Sequence, residues 1–444
     1  MLVNFIRRIQ PGEAVVVALV LLPAFAALPV LLEPWPSAPA DWLRFGGKLT
    51  GILGLASLLF AGILAVRIPG FDQPFGGLTR LWRLHHSLGT ASLLLLMLHP
   101  LLLAFAAVPF GLQAASLTLF PPFSNVNTWI GWAALLAMMI FLAPSYSFFG
   151  PPKYQRWKRL HLLAGAALLL GAVHGFALNT VFAGNWNIVV WCGLVVLALG
   201  AFCWRAVVSK KFARKPYRIT AVEPLAKGVV ELVLEPVDKP LAHAAGQFVY
   251  LTPRDPALSA GCNEEHPYTI SSAPQASELR IAIKDLGDAS HALQTVTPGT
   301  ITHVDGPYGR FFREGIADGK RERELWFGGG IGITPFVGRA RLLLHEESPV
   351  DTRLVYFAQD ESRAYFLEEL QDIASRIDGF DVITHYFEDE GPLTEEFLAQ
   401  HLPDFAERTA YICGPMPMID LSKRILREAG LPAHRIRSEE FTLL

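Results

Sequence analysis

The sequence predicts a multi-domain membrane protein: an all-α six-helix transmembrane bundle, then an antiparallel β-barrel, then an α/β Rossmann-like domain. Three observations carry that prediction. Apolar residues dominate up to about Val208 in six runs of near-bilayer length, whereas the remainder has the charge density of a water-soluble protein. Beyond Lys211, short alternating or β-branched runs follow one another between turn signals. From about Glu322, strand and helix patterns alternate, as in a parallel sheet. The expected domains are residues 1–210, 211–320 and 321–444.

The six spans are drawn at about 13–33, 49–66, 84–108, 128–149, 160–180 and 186–207. Charges between them orient the bundle. One set of loops holds Arg7 and Arg8, then Arg67, Arg80 and Arg83, then Lys153, Arg156, Lys158 and Arg159, then Arg205 to Lys215. The opposite loops hold only Arg44 and Lys48 as cations. Positive charge accumulates inside, so both termini and the soluble half are expected on the cytoplasmic side of the cell's inner (plasma) membrane. Arg7-Arg8, an apolar stretch and Ala38-Pro39-Ala40 also fit a cleaved signal peptide. The apolar stretch is longer than the usual 7–15-residue signal core, which favours a retained helix.

A net charge of −2 with no run of like charge argues against nucleic-acid binding. The four cysteines, Cys192, Cys203, Cys262 and Cys413, show no CxxC spacing for zinc, an iron–sulfur cluster or a redox pair. Cys192 and Cys203 are expected to be small buried hydrophobes in the last span.

Spans three and five each carry two histidines, His85 and His99, then His161 and His174. Ionisable groups inside a bilayer are costly and usually functional. At about 1.5 Å per residue each pair spans roughly 20 Å, one histidine near either face. Two such helices side by side offer two stacked bis-imidazole sites, suited to a pair of b-type haems. A single zinc ion is disfavoured because histidines so far apart cannot converge on it. His85 and His99 share a face, being about 40° short of four full turns apart. His161 and His174 miss a common face by about 140° on an ideal helix, so that helix must bend or overwind, with Gly165 and Gly171 permitting it. His86 competes with His85 as the inner ligand.

In the soluble half, YRITAVEPLAKGVVELVLEP, GQFVYLTP, TISSAP, LRIAIKDLG and TITHVDGPYGRF read as barrel strands from about 214 to 318. ELWFGGGIGITPFVGRARLLLHEE reads as strand, glycine turn and helix. Such a turn lets backbone approach a diphosphate at a helix N-terminus. Ile333-Thr334-Pro335 after it, with Cys413-Gly414-Pro415 after a later strand, sharpens an otherwise weak signal.

With these motifs the chain resembles the NADPH oxidase and ferric reductase family, whose dehydrogenase half is shared with ferredoxin–NADP reductases. The resemblance covers nearly the whole length. It implies a ferric-reductase-like di-haem membrane domain with His85, His99, His161 and His174 as iron ligands, an FAD-binding barrel and an NAD(P)H-binding domain. His266-Pro267-Tyr268-Thr269, continuing through Ile270 to Ser271 and Ser272, is similar to the family's flavin motif, His266 standing where ferredoxin reductases have an Arg. The resemblance implies that Tyr268 packs on the isoalloxazine and Thr269 bonds near its reactive nitrogen. Lys284 is a second phosphate partner or an exposed strand lysine. Gly328, Gly329, Gly330, Gly332, Thr334 and Pro335 match the family's dinucleotide loop, and Cys413, Gly414 and Pro415 its nicotinamide-side motif. Phe441, in Glu439-Glu440-Phe441, resembles the aromatic that covers the flavin and yields to nicotinamide, or is a docking hydrophobe.

Two departures stand out. Many NADPH-selective relatives carry an Arg where this chain has Asp360 and Glu361, with only Arg363 nearby, so NADH is expected at least as readily as NADPH. Oxygen-reducing members often have a basic residue near the outer haem. Lys48, with Arg44 one turn earlier, serves that role or snorkels at the interface. The resemblance implies an NAD(P)H oxidase that passes electrons from NAD(P)H through FAD and both haems to oxygen, making superoxide. A ferric or other metal-chelate reductase, or a donor to an extracytoplasmic redox protein, would use the same wiring. A haem-bearing sensor or proton channel is a reading of a different class. Membrane lipid is the expected surrounding, and no obligatory protein partner is expected.

Overall fold

The computed structural model describes residues 10–146, 154–178, 185–312, 323–346 and 350–439. Phe441 lies outside the described residues. The chain divides into two compact units, Met1–Phe212 and Ala213–Leu444.

The first unit is helical: α1 Pro11–Leu31, α2 Pro39–Leu64, α3 Leu78–Ala107, α4 Leu112–Leu119, α5 Val126–Leu142, α6 Tyr154–Leu160, α7 Leu163–Leu178 and α8 Asn185–Cys203. Among the described residues six spans are long and apolar enough to cross a bilayer, α6 and α7 together forming the span Trp157–Leu178. The second span is the axle: 61% of its apolar window is buried, against 11–33% for the others. Small residues allow this. A Cβ on Gly54 would fall 2.7 Å from Leu96, and one on Gly62 3.2 Å from Leu168. In lipid such close approach, rather than water expulsion, drives helix packing. Leu94, Phe105, Val189, Val196 and Leu197 are exposed, the expected lipid-facing surface.

Helix α2 begins ten residues before the expected start at 49. The Asp41 carboxylate accepts the backbone N–H groups of Ala38 (3.0 Å) and Ser37 (3.2 Å), and Pro39 opens the first turn. Arg44 and Lys48 are therefore helical. The segment between α3 and α5, outside the expected spans, contains α4. Its connection to α5 is fastened by aromatic rings: Trp132 donates to the Leu119 carbonyl (2.7 Å) and stacks on Phe120, while Phe123 stacks on Trp129. Cys192 and Cys203 are exposed, not buried. Within α8 the buried residues are Trp191 and Ala198, seven apart on one stripe, and the thiols lie off it. A lipid chain is as apolar as a core, so nothing is lost there.

A π-helical turn, Trp204–Ala213, follows α8, and β1 starts at Lys215, so Arg214 alone separates helix from strand. In the second unit β1 Lys215–Ala226, β2 Val229–Pro236, β3 Phe248–Pro253, β4 His266–Thr269, β5 Leu279–Lys284 and β6 Ile301–Tyr308 form an antiparallel sheet. Its order is β4-β3-β6-β1-β2-β5, and an Ile270–Ile281 bridge joins the ends into a barrel around Tyr217, Ile219, Leu232, Val249, Leu251 and Ile281. Helix α9, Asp288–Leu293, follows β5.

The parallel sheet has the order β11-β10-β7-β8-β9, built from β7 Glu324–Gly329, β8 Thr352–Ala358, β9 Phe380–Tyr386, β10 Thr409–Cys413 and β11 Ile436–Glu439. Helices α10 Thr334–Leu343, α11 Leu367–Arg376, α12 Glu395–His401 and α13 Met416–Glu428 accompany it. Every residue of β7 is buried, as in a central parallel strand covered on both faces. The chain runs outward from β7 through β8 to β9, then returns to β10 on the other side of β7. Ligands of such sheets sit at the strand ends beside that reversal.

Candidate functional site

The four histidines meet in two pairs. The His85 and His161 ring centres are 6.2 Å apart, and those of His99 and His174 are 6.4 Å apart. One metal atom bonded to a nitrogen of each ring at about 2.0–2.1 Å would set the centres roughly 6 Å apart. Three rings are already oriented: Nδ1 of His85, His99 and His174 lies 2.7 Å from the carbonyl oxygens of Ala61, Gly47 and Asn127. Donation of Nδ1–H to those oxygens fixes the tautomer and leaves Nε2 as a metal ligand. Gly47 and Ala61 of α2 are separated by the same fourteen residues as His99 and His85 of α3. Clearance is set by glycine: a Cβ would stand 2.7 Å from the His99 ring at Gly51 and 2.5 Å from the His174 ring at Gly131. Among the described residues no three His, Cys, Asp or Glu side chains cluster as in a structural zinc site.

His86 faces Tyr146, ring centres 6.2 Å apart, while His85 is the ring that faces His161. The face mismatch of His161 and His174 is closed in part by local winding. Leu162, Ala164 and Gly165 donate to the carbonyls of Arg159, His161 and Leu162, three residues back rather than four. Each such step advances about 20° further than in an α-helix, so the three close about 60° of the mismatch of about 140°. His161 pays for this in company: Trp157 and Phe141 flank its ring, and its buried Nδ1 has no hydrogen-bond partner among the described residues. Lys48 precedes Leu55, which touches Gly171 of α7, by seven residues. Two turns less about 20° put Lys48 on the same stripe, toward the His174 end of α7.

In the second unit, Thr269 is buried and the half-buried Tyr268 packs against the barrel core. Burial raises the Tyr268 hydroxyl above its ordinary pKa. His266 stands 3.4 Å from Glu264. Counting on from the Ile270–Ile281 bridge sets Lys284 level with Pro267. The Ser271 hydroxyl is committed elsewhere, donating to Glu231 (2.5 Å), and the Ser272 hydroxyl accepts the Arg280 N–H (3.1 Å).

At the reversal of the parallel sheet, Gly328 pairs with Cys413. A Cβ on Gly332 would stand 2.5 Å from the Gly414 Cα, so the two loops touch through bare backbone. Gly330 has φ +53° and nothing within 4 Å of where a Cβ would point, leaving room beside the N-terminus of α10. Thr334 and Pro335 open that helix, and the Thr334 hydroxyl donates to the Ile331 carbonyl. Pro415 stands just before the first turn of α13. Cys413 is fully buried, and burial, with Glu439 beside it, pushes its thiol well above the ordinary value. It is a neutral thiol.

Three family models match in sequence order: "Ferric reductase like transmembrane component" over residues 50–172, "FAD-binding domain" over 214–311 and "Oxidoreductase NAD-binding domain" over 327–424. This is the domain architecture of the NADPH oxidases and ferric reductases. The ferric-reductase-like match contains His85, His99 and His161, and ends two residues before His174. The chain is 31% identical over 189 residues to the reductase subunit of glycine betaine monooxygenase from Pseudomonas aeruginosa, covering 39% of this chain and 50% of that one. It is 26% identical over 241 residues to the reductase component of propane 2-monooxygenase from Mycolicibacterium goodii, covering 50% and 66%. The chain thus spans about half the length of the first of these relatives. A flavohemoglobin structure from Malassezia yamatoensis aligns over 94% of this chain and 99% of its own at 17% identity, with TM-score 0.48. The protein is a membrane oxidoreductase with FAD- and NAD-binding domains.

Within this NADPH oxidase/ferric reductase architecture, the sequence reading missed three groups. Glu439, beside Cys413 in the strand register, comes 3.1 Å from where a Gly309 Cβ would stand. The sequence named it only within Glu439-Glu440-Phe441 and gave it no role of its own. The buried Glu231 pairs with the half-buried Arg341 at the barrel, 110 residues apart in sequence, and no local pattern links them.

Proposed function

We propose that this protein is a transmembrane NAD(P)H oxidase that delivers electrons to oxygen on the outer face and forms superoxide. The observation that carries the reading is the pair of facing-imidazole sites, one above the other, in a chain that also carries FAD- and NAD-binding domains. When bound, FAD supplies the conversion of a two-electron hydride into single electrons, and two haems supply one-electron carriage.

The residues' own work follows from their positions. His85 with His161, and His99 with His174, would hold the two irons through Nε2, the backbone carbonyls of Gly47, Ala61 and Asn127 fixing three of the rings. Two histidines for each iron would leave the acceptor no place on the metal, so it would be reduced without binding it. His266 and Lys284 would take the FAD diphosphate, Tyr268 and Thr269 its ring, with Ser271 acting through Glu231. The open backbone at Gly330 and the N-terminus of α10 would take the coenzyme diphosphate. Cys413, as a neutral thiol, would pack beside the nicotinamide, and Phe441 would cover the flavin. Asp360 accepts the Ser362 hydroxyl (2.5 Å) and lies 3.4 Å from Arg363, which leaves a carboxylate at the end of β8 and favours NADH. The cation-rich loops support a dehydrogenase on the cytoplasmic side. Outward electron flow then runs with an inside-negative potential, about 2.3 kcal/mol per 100 mV.

The outer segment from α4 to α5, apolar and aromatic, suits a small neutral acceptor, and Lys48 near His174 would favour an anionic product. The decisive experiment follows optical spectra of the detergent-solubilised protein during anaerobic NADH addition and then air. Reduced b-type haem bands that clear in air, with superoxide-dismutase-sensitive cytochrome c reduction, are expected. Bands that persist in air and clear only with a ferric chelate would replace oxidase by metal-chelate reductase. Absence of a Soret band after haem-replete expression would end both.

A further inference from the structure

We propose that Arg341 is a positioning residue that fixes the spacing between the nicotinamide and flavin sites. The inference rests on the functional reading above, but its geometry is independent of that reading. Helix α10 starts at the glycine turn proposed to meet the coenzyme diphosphate. Four residues on, Gly338 lies against the flavin motif itself: a Cβ there would stand 3.0 Å from the Ile270 carbonyl oxygen, 3.4 Å from that of Ser272 and 3.5 Å from that of Ser271. One turn further, Arg341 closes the contact. Its Nη1 donates to the Ser271 carbonyl (3.0 Å) and to Glu231 (2.9 Å). Its Nη2 donates to Glu231 (3.3 Å) and Glu369 (2.8 Å), and its Nε to Glu369 (2.6 Å).

All five guanidinium N–H groups are thereby used, which a lysine cannot reproduce. Glu231, 1% exposed, also accepts from Ser271 Oγ and Arg280. Burial alone would raise its carboxyl, but the bonds from Arg341, Ser271 and Arg280 outweigh burial and hold it below the ordinary value. A buried charge pair of this kind is costly to break from one side.

The consequence is a strut. One helix touches the dinucleotide turn with its first residue and, about 10 Å along, is bolted to the three residues that follow Thr269. Reacting atoms must come within about 3–3.5 Å, and a misplacement of about 1 Å costs on the order of a hundredfold in rate. The reaction served moves one hydride from NADH to FAD, giving NAD+ and FADH−.

The test uses full-length protein in detergent, with Arg341→Lys and Gly338→Ala. The limiting rate of anaerobic flavin bleaching at saturating NADH is measured, with backbone hydrogen exchange on FAD-free protein. Both variants should lower the limiting rate by about tenfold or more with NADH affinity little changed. Exchange should rise together at 270–272 and 334–343 and not elsewhere. Unchanged limiting rates in both variants, or exchange rising across the whole domain, would overturn the proposal. Should Arg341→Lys fail to fold, Gly338→Ala, which removes no charge, decides. If wild type itself does not bleach with NADH, the functional reading falls, while the exchange pattern still decides the strut.

Discussion

The two histidine pairs share a helix and a spacing yet differ in how firmly they are held. In the pair proposed as outer, His99 and His174 both have Nδ1 tied to backbone carbonyls. In the pair proposed as inner only His85 is tied; His161 sits in an overwound turn, wedged by Trp157 and Phe141, its Nδ1 without a partner among the described residues. Two imidazole pairs built on one ladder, each proposed to hold an iron, can therefore differ in rigidity through a single second contact. Losing such a contact typically costs about 10–100-fold in metal affinity.

The largest expected effect is the cleanest break. His99→Leu should remove the outer haem and lower the Soret absorbance per protein by about half, leaving the inner haem reducible by NADH. A full complement of haem in that variant would refute the pairing. Next, wild-type protein exposed to excess apomyoglobin should lose haem in two phases, the faster about tenfold quicker. The comparison assigns that phase to the inner site, so it should survive in His99→Leu and vanish in His85→Leu. Equal rates would mean that His161 needs no second contact.

A smaller effect comes from Gly131→Ala, whose Cβ would strike the His174 ring. Overpacking of this sort costs about 1–3 kcal/mol, and thermal release of the outer haem alone should move to lower temperature. Smallest is Ser92→Ala. Ser92 lies seven residues from both His85 and His99 and donates to the Gly54 carbonyl (2.8 Å). Its loss, worth about 1 kcal/mol, should weaken the two sites equally; a one-sided effect would reveal an asymmetry the geometry lacks.

Much of this arrangement was legible in the sequence because it rests on period and length. Apolar runs of bilayer length, two histidines per run, a strand–glycine–helix pattern and β-branched alternation are local signals, and the bundle, barrel and parallel sheet followed from them. The mismatch between His161 and His174 was visible as an angle, but its partial closure was not, since three shifted hydrogen bonds leave no mark in residue type. The early start of α2 was hidden by Asp41, Arg44 and Lys48, which look like loop residues until Asp41 is seen capping the helix. The thiols of Cys192 and Cys203 misled because hydropathy cannot tell a lipid-facing side chain from a core one. Short α4, α9 and β11 carry too few residues for a pattern. The clamp of Arg341 on Glu231 and Ser271 joins segments far apart in the chain, and only the fold brings them together.

The matched fourteen-residue intervals on α2 and α3 work as two scales of one vernier. Gly47 answers His99 and Ala61 answers His85, so the graduations coincide at both ends. One residue added between Gly47 and Ala61 would slide a scale by about 1.5 Å and turn it by about 100°, and alignment could then be kept at one end only. Descendants of this chain can vary the lipid-facing side chains between those marks, but not Gly51 or Gly54, whose bare backbones clear His99 and Leu96. They can change the number of residues only by changing both helices at once.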